Sequence, residues 1–231
     1  MTRTAFEQRV AMHAALGDPL RLAIVDDLAV SDRAPKEIGE RFAIPTNLLA
    51  HHLDVLETAG LITRFASAGD GRRRYVRLVR GALALLGVAA TSAPNRVLFL
   101  CTHNSARSQL AAALWRARLG APADSAGTHP APAVHRGAVA AARRAGLDIG
   151  DATPRSVDRI PAGTQVITVC DRAHEELNAT SSWWHWSIPD PVESGSAHAF
   201  DAVVNDLDAR IAALVAPPAA RTAPHTERRY P

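Results

Sequence analysis

The apolar positions change rhythm near the middle of the chain. Up to about residue 85 they recur at the three-to-four spacing of amphipathic helices. Phe6–Leu16 and Pro19–Leu28 carry that spacing. Between them Gly17-Asp18-Pro19 offers a helix stop, an N-cap and a first-turn proline. Pro35–Phe42 predicts a short third helix. Ile44-Pro45-Thr46 turns the chain, and Thr46 or Asn47 is placed to cap a fourth helix running to about Ala59, with Gly60 as its stop. Leu49, Leu53 and Leu56 fall on one face of that helix; Thr46, Asn47, Ala50, His51 and Asp54 lie largely elsewhere. Leu61–Phe65 and Arg73–Leu78 flank Gly69-Asp70-Gly71 and predict a β-hairpin with a glycine-rich tip. Val79–Leu86 is apolar enough for one more helix, and Gly87–Asn95 reads as a small, polar linker.

Beyond that linker, strands alternate with helices. Strands are predicted at Arg96–Leu100, around Ala123–Ser125 and at Gln165–Val169; helices at Ser108–Leu119, Val134–Ala145 and Ala199–Val215. Such alternation implies a parallel sheet flanked by helices, with its ligand site at the C-terminal ends of the strands. The expected organisation is therefore two domains: a mainly α winged helix-turn-helix over residues 1–86, a linker at 87–94, and an α/β domain over 95–216. The tail, Pro217–Pro231, is rich in Pro and Ala and is expected to be disordered.

Chemistry concentrates where the first strand of the second domain ends. The apolar run Val97–Leu100 stops at Cys101, polar residues follow, and Arg107-Ser108 leads into a helix. A loop between strand and helix can aim several backbone N–H groups at one point, with the positive end of the helix dipole behind them. Thr102, His103, Asn104, Ser105 and Ala106 would supply that cradle for a tetrahedral oxyanion, and the planar fork of Arg107 would hold two of its oxygens. The same groups favour Cys101 as a thiolate nucleophile. Ser108 can donate its hydroxyl to the sulfur, and Asn104 tolerates the left-handed backbone that a sharp loop requires.

Composition and charge narrow the reading further. With 231 residues and 47% apolar content the chain is long enough for two modest domains, yet no apolar run approaches a membrane span. The opening Met1-Thr-Arg-Thr-Ala-Phe-Glu7 lacks the apolar core of a signal peptide, so a cytoplasmic location is expected. Two cysteines do not make a disulfide scaffold and are better read as reactive thiols. The net charge of +3 is small, but Arg64, Arg72, Arg73, Arg74, Arg77 and Arg80 against Asp70 concentrate positive charge on the hairpin. Thr46, Asn47, Ala50 and His51 on the preceding helix, with Arg64, Arg72, Arg73 and Arg74, form the expected contact set for double-stranded DNA. Adjacent histidines on a helix point in different directions, so His51-His52 is not assigned as a metal site, and none is assigned elsewhere.

The run Cys101-Thr-His-Asn-Ser-Ala-Arg-Ser-Gln109 resembles the active-site loop of the low-molecular-weight tyrosine phosphatase family, and in particular its thiol-dependent arsenate reductases. Ser125-Ala-Gly-Thr128, Gly146-Leu-Asp-Ile149, Val166-Ile-Thr-Val-Cys-Asp171 and His185-Trp-Ser-Ile-Pro-Asp-Pro191 continue the resemblance in family order. It implies that Cys101 attacks phosphorus or arsenic, that Asp190 protonates the leaving oxygen, and that Cys170 stands where the reductases place a resolving cysteine. Seven residues on, where the thioredoxin-coupled relatives carry a third cysteine, this chain has Leu177. The electron donor implied is an external thiol (thioredoxin, glutaredoxin with glutathione, or mycoredoxin with mycothiol), with no bound cofactor. Ala15-Leu-Gly-Asp-Pro-Leu-Arg21 and His51-His-Leu-Asp-Val-Leu-Glu-Thr-Ala-Gly-Leu61 in turn resemble ArsR-type repressors, which implies a DNA operator and a homodimer. The N-terminal domain, residues 1–86, contains no cysteine with which to sense arsenite. Two alternatives stand beside the reductase: a protein tyrosine phosphatase, and an oxyanion-sensing repressor whose second domain does not catalyse.

Overall fold

The computed structural model describes residues 4–82, 93–180 and 182–214. Four helices open the chain: α1 (Ala5–Leu16), α2 (Pro19–Val30), α3 (Pro35–Phe42) and α4 (Thr46–Thr58). Local chemistry sets their ends. Thr4 and Glu7 form a reciprocal capping box on α1, and the Asp18 carboxylate accepts the Arg21 N–H at the start of α2, with Pro19 in its first turn. At α4 the expectation fails. Pro45 is the N-cap, and neither Thr46 nor Asn47 supplies a side-chain cap, because Pro45 already fixes an extended entry into the helix. Gly60 follows α4 with φ +76, a left-handed position suited to glycine.

β1 (Ile62–Ala66) and β2 (Arg74–Leu78) pair antiparallel, Ile62 opposite Leu78. Ile24, Leu28, Ile38, Leu53, Leu56 and Val76 form a continuous core under these helices and the hairpin. The helix expected at Val79–Leu86 and the linker fall largely on residues 83–92, outside the described residues, as does the tail.

The second unit is a four-stranded sheet in the order β4-β3-β5-β6, with every pairing parallel. Its elements are β3 (Val97–Cys101), α5 (Arg107–Leu119), β4 (Ala123–Gly127), α6 (Arg136–Arg144), β5 (Gln165–Thr168), α7 (Asp171–Glu176), β6 (Trp184–His185), α8 (Pro191–Ser194) and α9 (Ala197–Ala213). β3 is buried on both faces, which is why it reads as an unbroken apolar run. Val97, Phe99 and Cys101 point into the larger core with Leu110, Trp115, Phe200 and Leu207; Leu98 and Leu100 point into the smaller one with Ala126 and Val166. The short α7, β6 and α8 were not predicted. Six residues or fewer do not establish a period.

The two units meet across a buried polar seam. The turn after α2 lies against β6: Asp32 N–H donates to His185 O (2.7 Å), and Trp186 Nε1–H donates to Val30 O (2.9 Å). The Asp32 carboxylate is fully buried and is held by Arg77 (3.0 Å), Arg210 (3.3 Å) and the Ser187 N–H (2.9 Å). Burial alone would raise its pKa, but the arginines outweigh that and hold it below the usual carboxylate range. Further along, His174 and His185 stack at 4.1 Å; His185 reaches Asp171 (3.1 Å), and His174 reaches Glu37 of α3 (3.1 Å).

Candidate active site

Cys101 is the last residue of β3, the central strand that pairs with both β4 and β5, and it is 2% exposed. The loop after it is shaped from outside. Residues 128–135 donate to its carbonyls: Thr128 to Cys101 O, His129 to Thr102 O, Ala131 to His103 O and His135 to Ser105 O, at 2.8–3.2 Å. In a trans peptide the C=O of one residue opposes the N–H of the next. Holding those four carbonyls outward therefore turns the N–H groups of Thr102, His103, Asn104 and Ala106 to the other side. One of them, Asn104 N–H, donates to Cys101 Sγ at 3.2 Å.

Asn104 is left-handed at φ +48, and its side chain holds the loop closed. Its Oδ1 accepts from the Arg155 N–H (2.9 Å) and Gln109 Nε2 (3.2 Å), and its Nδ2 donates to Ser108 Oγ (2.8 Å). Because Ser108 Oγ already accepts that bond, its own proton is free to point at Cys101 Sγ, 3.0 Å away. The Cys101 sulfur is thus faced by a backbone N–H and a hydroxyl, both suited to a thiolate. Gly127, at the end of β4, abuts this loop. A Cβ there would lie 2.6 Å from Thr102 O and 2.9 Å from Asn104 N, so the loop can close only against a glycine.

Arg107 begins α5 but does not point along its axis. It donates to Ile188 O (3.0 Å) and to Asp190 Oδ2 (2.6 Å), although Asp190 is 83 residues away. Asp190 in turn caps α8, its Oδ1 accepting the Val192 N–H at 3.0 Å. Cys101, Arg107 and Asp190 all line a cavity of about 550 Å³ whose mouth also carries His103, His129, His135 and Glu193.

Cys170 sits behind Cys101 rather than in the cavity lining. It is 1% exposed and is the N-cap of α7, accepting the Ala173 N–H at 3.4 Å. Thr102, the residue after Cys101, brings its hydroxyl to 3.3 Å from the Cys170 sulfur. Burial pushes the Cys170 thiol up, and the charge of Cys101 adds to that, while Arg107 and the Thr102 hydroxyl pull the other way. The sequence suggested only backbone participation for Thr102; its side chain ties the Cys101 loop to the Cys170 sulfur. Nothing in the local pattern signals that link, since the partners are 68 residues apart.

The residues considered for nucleic acid divide differently from expectation. Thr46, Asn47, Ala50 and His51 are exposed along α4, and Arg72, Arg73 and Arg74 are exposed beside the hairpin tip. Arg64 is occupied by Glu57 (2.9 Å) and Asp54. Arg77 and Arg80, counted with the wing, face inward. Arg77 joins Asp32 and the Ser187 carbonyl and lies over Phe65, while Arg80 donates to Ala29 O (3.0 Å). Burial first, then Arg210, lowers the Arg80 pKa to about 10. Buried carboxylate and carbonyl acceptors in the seam outcompete solvent for these two guanidinium groups.

Comparison with known proteins matches the second unit. The family described as low molecular weight phosphotyrosine protein phosphatase matches residues 96–222. An arsenate reductase of Halalkalibacterium halodurans is 35% identical over 105 residues, covering 42% of this chain and 75% of that protein. One from Brevibacillus brevis is 33% identical over 122 residues, covering 50% of this chain and 90% of its own. Among solved structures, an arsenate reductase from Archaeoglobus fulgidus aligns with a TM-score of 0.41 at 26% identity, over 50% of this chain and 94% of that one. With its family's model matched over more than half its length, the chain belongs to the low-molecular-weight phosphotyrosine protein phosphatase family.

Proposed function

We propose that the chain is a thiol-dependent arsenate reductase carrying a DNA-binding regulatory unit. The observation that carries the enzymatic part is a second buried thiol, Cys170, whose sulfur lies 3.3 Å from the hydroxyl of Thr102, the residue that follows Cys101 in the oxyanion cradle. A phosphatase needs only the first, since water ends its cycle. A reductase needs a second thiol, because two electrons must reach arsenic.

In this reading Cys101 Sγ attacks arsenate held by the loop N–H groups and Arg107, and one arsenate oxygen leaves as water with a proton from Asp190. A second thiolate then attacks Cys101 Sγ. The S–S bond forms, the S–As bond breaks, and arsenic keeps the electron pair and departs as arsenite. Either Cys170 or a small external thiol serves as that second group, and thioredoxin, glutaredoxin with glutathione, or mycoredoxin with mycothiol restores the enzyme. The relatives named arsenate reductase support this assignment.

The test is arsenite production from arsenate with each donor, for the native chain and for Cys101→Ser and Cys170→Ser. Turnover that disappears in Cys101→Ser is expected. Hydrolysis of an aryl phosphate with no arsenite from any donor would transfer the assignment to protein tyrosine phosphatase, the reading favoured by the family's own description. Against it, Val192-Glu193 follows Asp190-Pro191 where those phosphatases commonly carry a tyrosine pair.

The regulatory part rests on the helices, the exposed α4 face and the arginines at the hairpin tip. We expect a homodimer that binds a duplex DNA operator. A gel shift with that DNA, titrated with arsenate, arsenite and phosphate, checks it; absence of any shift at low salt refutes it. Should oxyanions alter the shift while no donor yields arsenite, the oxyanion-sensing repressor is the better reading.

A further inference from the structure

The hairpin tip does not stand free. Residues 67–69 lie on the first turn of α7, the helix that begins directly after Cys170. Ala68 N–H donates to Asp171 Oδ2 at 2.7 Å, and Ser67 Oγ donates to Glu175 Oε1 at 2.7 Å. Tyr75 of β2 reaches the same Glu175 oxygen at 3.3 Å. The approach is close: a Cβ on Gly69 would lie 2.8 Å from Glu175 Oε2 and 3.0 Å from the Arg172 nitrogen. Ser67 Oγ also accepts the N–H groups of Gly69 (2.9 Å) and Asp70 (3.1 Å). Three successive tip amides, 68 to 70, are therefore organised by one serine and by Asp171 and Glu175 of α7.

That helix is held by its N-cap and by side chains at its sides, His185 on Asp171 (3.1 Å) and Glu37 and Thr168 on His174 (3.1 and 2.9 Å). It is six residues long, Asp171–Glu176, and its N-cap acceptor is the Cys170 sulfur. Helices this short are marginal without their caps and packing. A disulfide requires the two sulfurs to approach within ~2 Å and their Cβ atoms within ~4 Å. A Cys170 sulfur bonded to Cys101 turns from Ala173 N–H toward the β3 loop, and α7 loses its cap.

We propose that α7 is a redox latch: a Cys101–Cys170 disulfide uncaps it, displaces Asp171 and Glu175, and releases the β1–β2 tip with Arg72, Arg73 and Arg74. This rests on the reading of Cys101 as an arsenate-reducing thiolate and extends it to control of the N-terminal unit. The step balances within the catalytic cycle. Cys170 thiolate attacks Cys101 Sγ in the thiol–arsenate adduct, the two sulfurs give up two electrons, arsenate is the oxidant, and arsenite leaves. An external dithiol reverses it.

The experiment uses the full-length, fully reduced chain without donor. One sample receives arsenate and another diamide, which oxidises neighbouring thiols without arsenic. Arsenite, free thiols and the disulfide-linked peptide are quantified, and hydrogen exchange is followed by mass spectrometry over residues 66–74. In both samples we expect exchange of the tip amides to rise at least tenfold as the disulfide forms, and to return with dithiothreitol. Cys170→Ser, whose hydroxyl still caps α7, is expected to stay protected throughout. Ser67→Ala combined with Glu175→Gln is expected to exchange rapidly even when reduced, with the arsenite burst unchanged. A disulfide that forms while tip exchange stays constant overturns the latch, as does failure of diamide to join Cys101 to Cys170. Release under diamide without arsenite from arsenate would retain the latch and reject the reductase reading.

Discussion

Replacing Asp190 by Asn should strengthen anion binding and weaken catalysis at once. Arg107, which on the proposed mechanism grips the oxyanion, is already bonded to Asp190 at 2.6 Å. The side chains are 9% and 26% exposed, so solvent screens the pair only in part. Two unit charges about 4 Å apart attract by ~4 kcal/mol at an effective dielectric of about 20. Water at the Asp190 end and the ordering of the side chains reduce that to a net ~1–2 kcal/mol. An incoming dianion must displace this carboxylate and tolerate its charge nearby. Asn keeps the shape and caps α8 about as well as Asp, so the loop stays in place while the charge goes. Inhibition by inorganic phosphate should therefore tighten about 5- to 30-fold, at ~1.4 kcal/mol per tenfold. Losing the proposed proton donor should meanwhile lower kcat for an aryl phosphate by about 10²–10⁴. Steady-state kinetics with p-nitrophenyl phosphate, and phosphate as competitive inhibitor, report both numbers. Phosphate binding that weakens in Asp190→Asn would refute the competition for Arg107.

Three other changes probe the same structure. Ser108→Ala removes a hydrogen bond to the sulfur and leaves Asn104 Nδ2 without its acceptor. A bond to a charged group is worth about 1.5–3 kcal/mol, so alkylation of Cys101 by iodoacetamide in a Cys170→Ser background should slow about ten- to a hundredfold; an unchanged rate would show that the hydroxyl does not assist. Gly127→Ala puts a methyl 2.6 Å from Thr102 O, and should cost about 1–3 kcal/mol in urea unfolding and abolish turnover, whereas wild-type activity would mean the loop can yield there. Acid should weaken the seam through Asp171. Burial opposes its charge, but hydrogen bonds from His185 and Ser187 outweigh that and hold its pKa at about 2, against an ordinary value of 3.8. The unfolded chain takes the proton first as pH falls, so ~2 kcal/mol of stability is present above about pH 5 and is lost between about pH 4 and 2. Urea midpoints measured across that range should fall more steeply for the native chain than for Asp171→Asn, and parallel slopes would contradict the assignment.

Local patterning was enough to place most of the secondary structure and the reactive loop. A buried strand ending in cysteine, followed by polar residues and a helical arginine, is legible because strand and helix periods and a seven-residue motif are all short-range properties. Helix ends were legible where a side chain caps its own turn, as at Asp18, and misread where proline did the work, as at Pro45. The sequence also pointed to Cys101, Arg107, Ser108, Asp190 and Cys170, but as separate residues. Their arrangement came from elsewhere. The Arg107–Asp190 pair, the Thr102 hydroxyl at Cys170 and the Gly127 contact each join positions brought together only by the parallel sheet. The seam between the units was invisible for the same reason. Ser31-Asp32-Arg33 looks like an ordinary polar turn, and Arg77 like one more basic residue on a hairpin. Their roles depend on a buried carboxylate finding two guanidinium groups from β2 and α9. Sequence spacing encodes what a residue can reach along its own helix or strand. Which charge a buried group meets across the core depends on how the layers stack, and that only the folded chain decides.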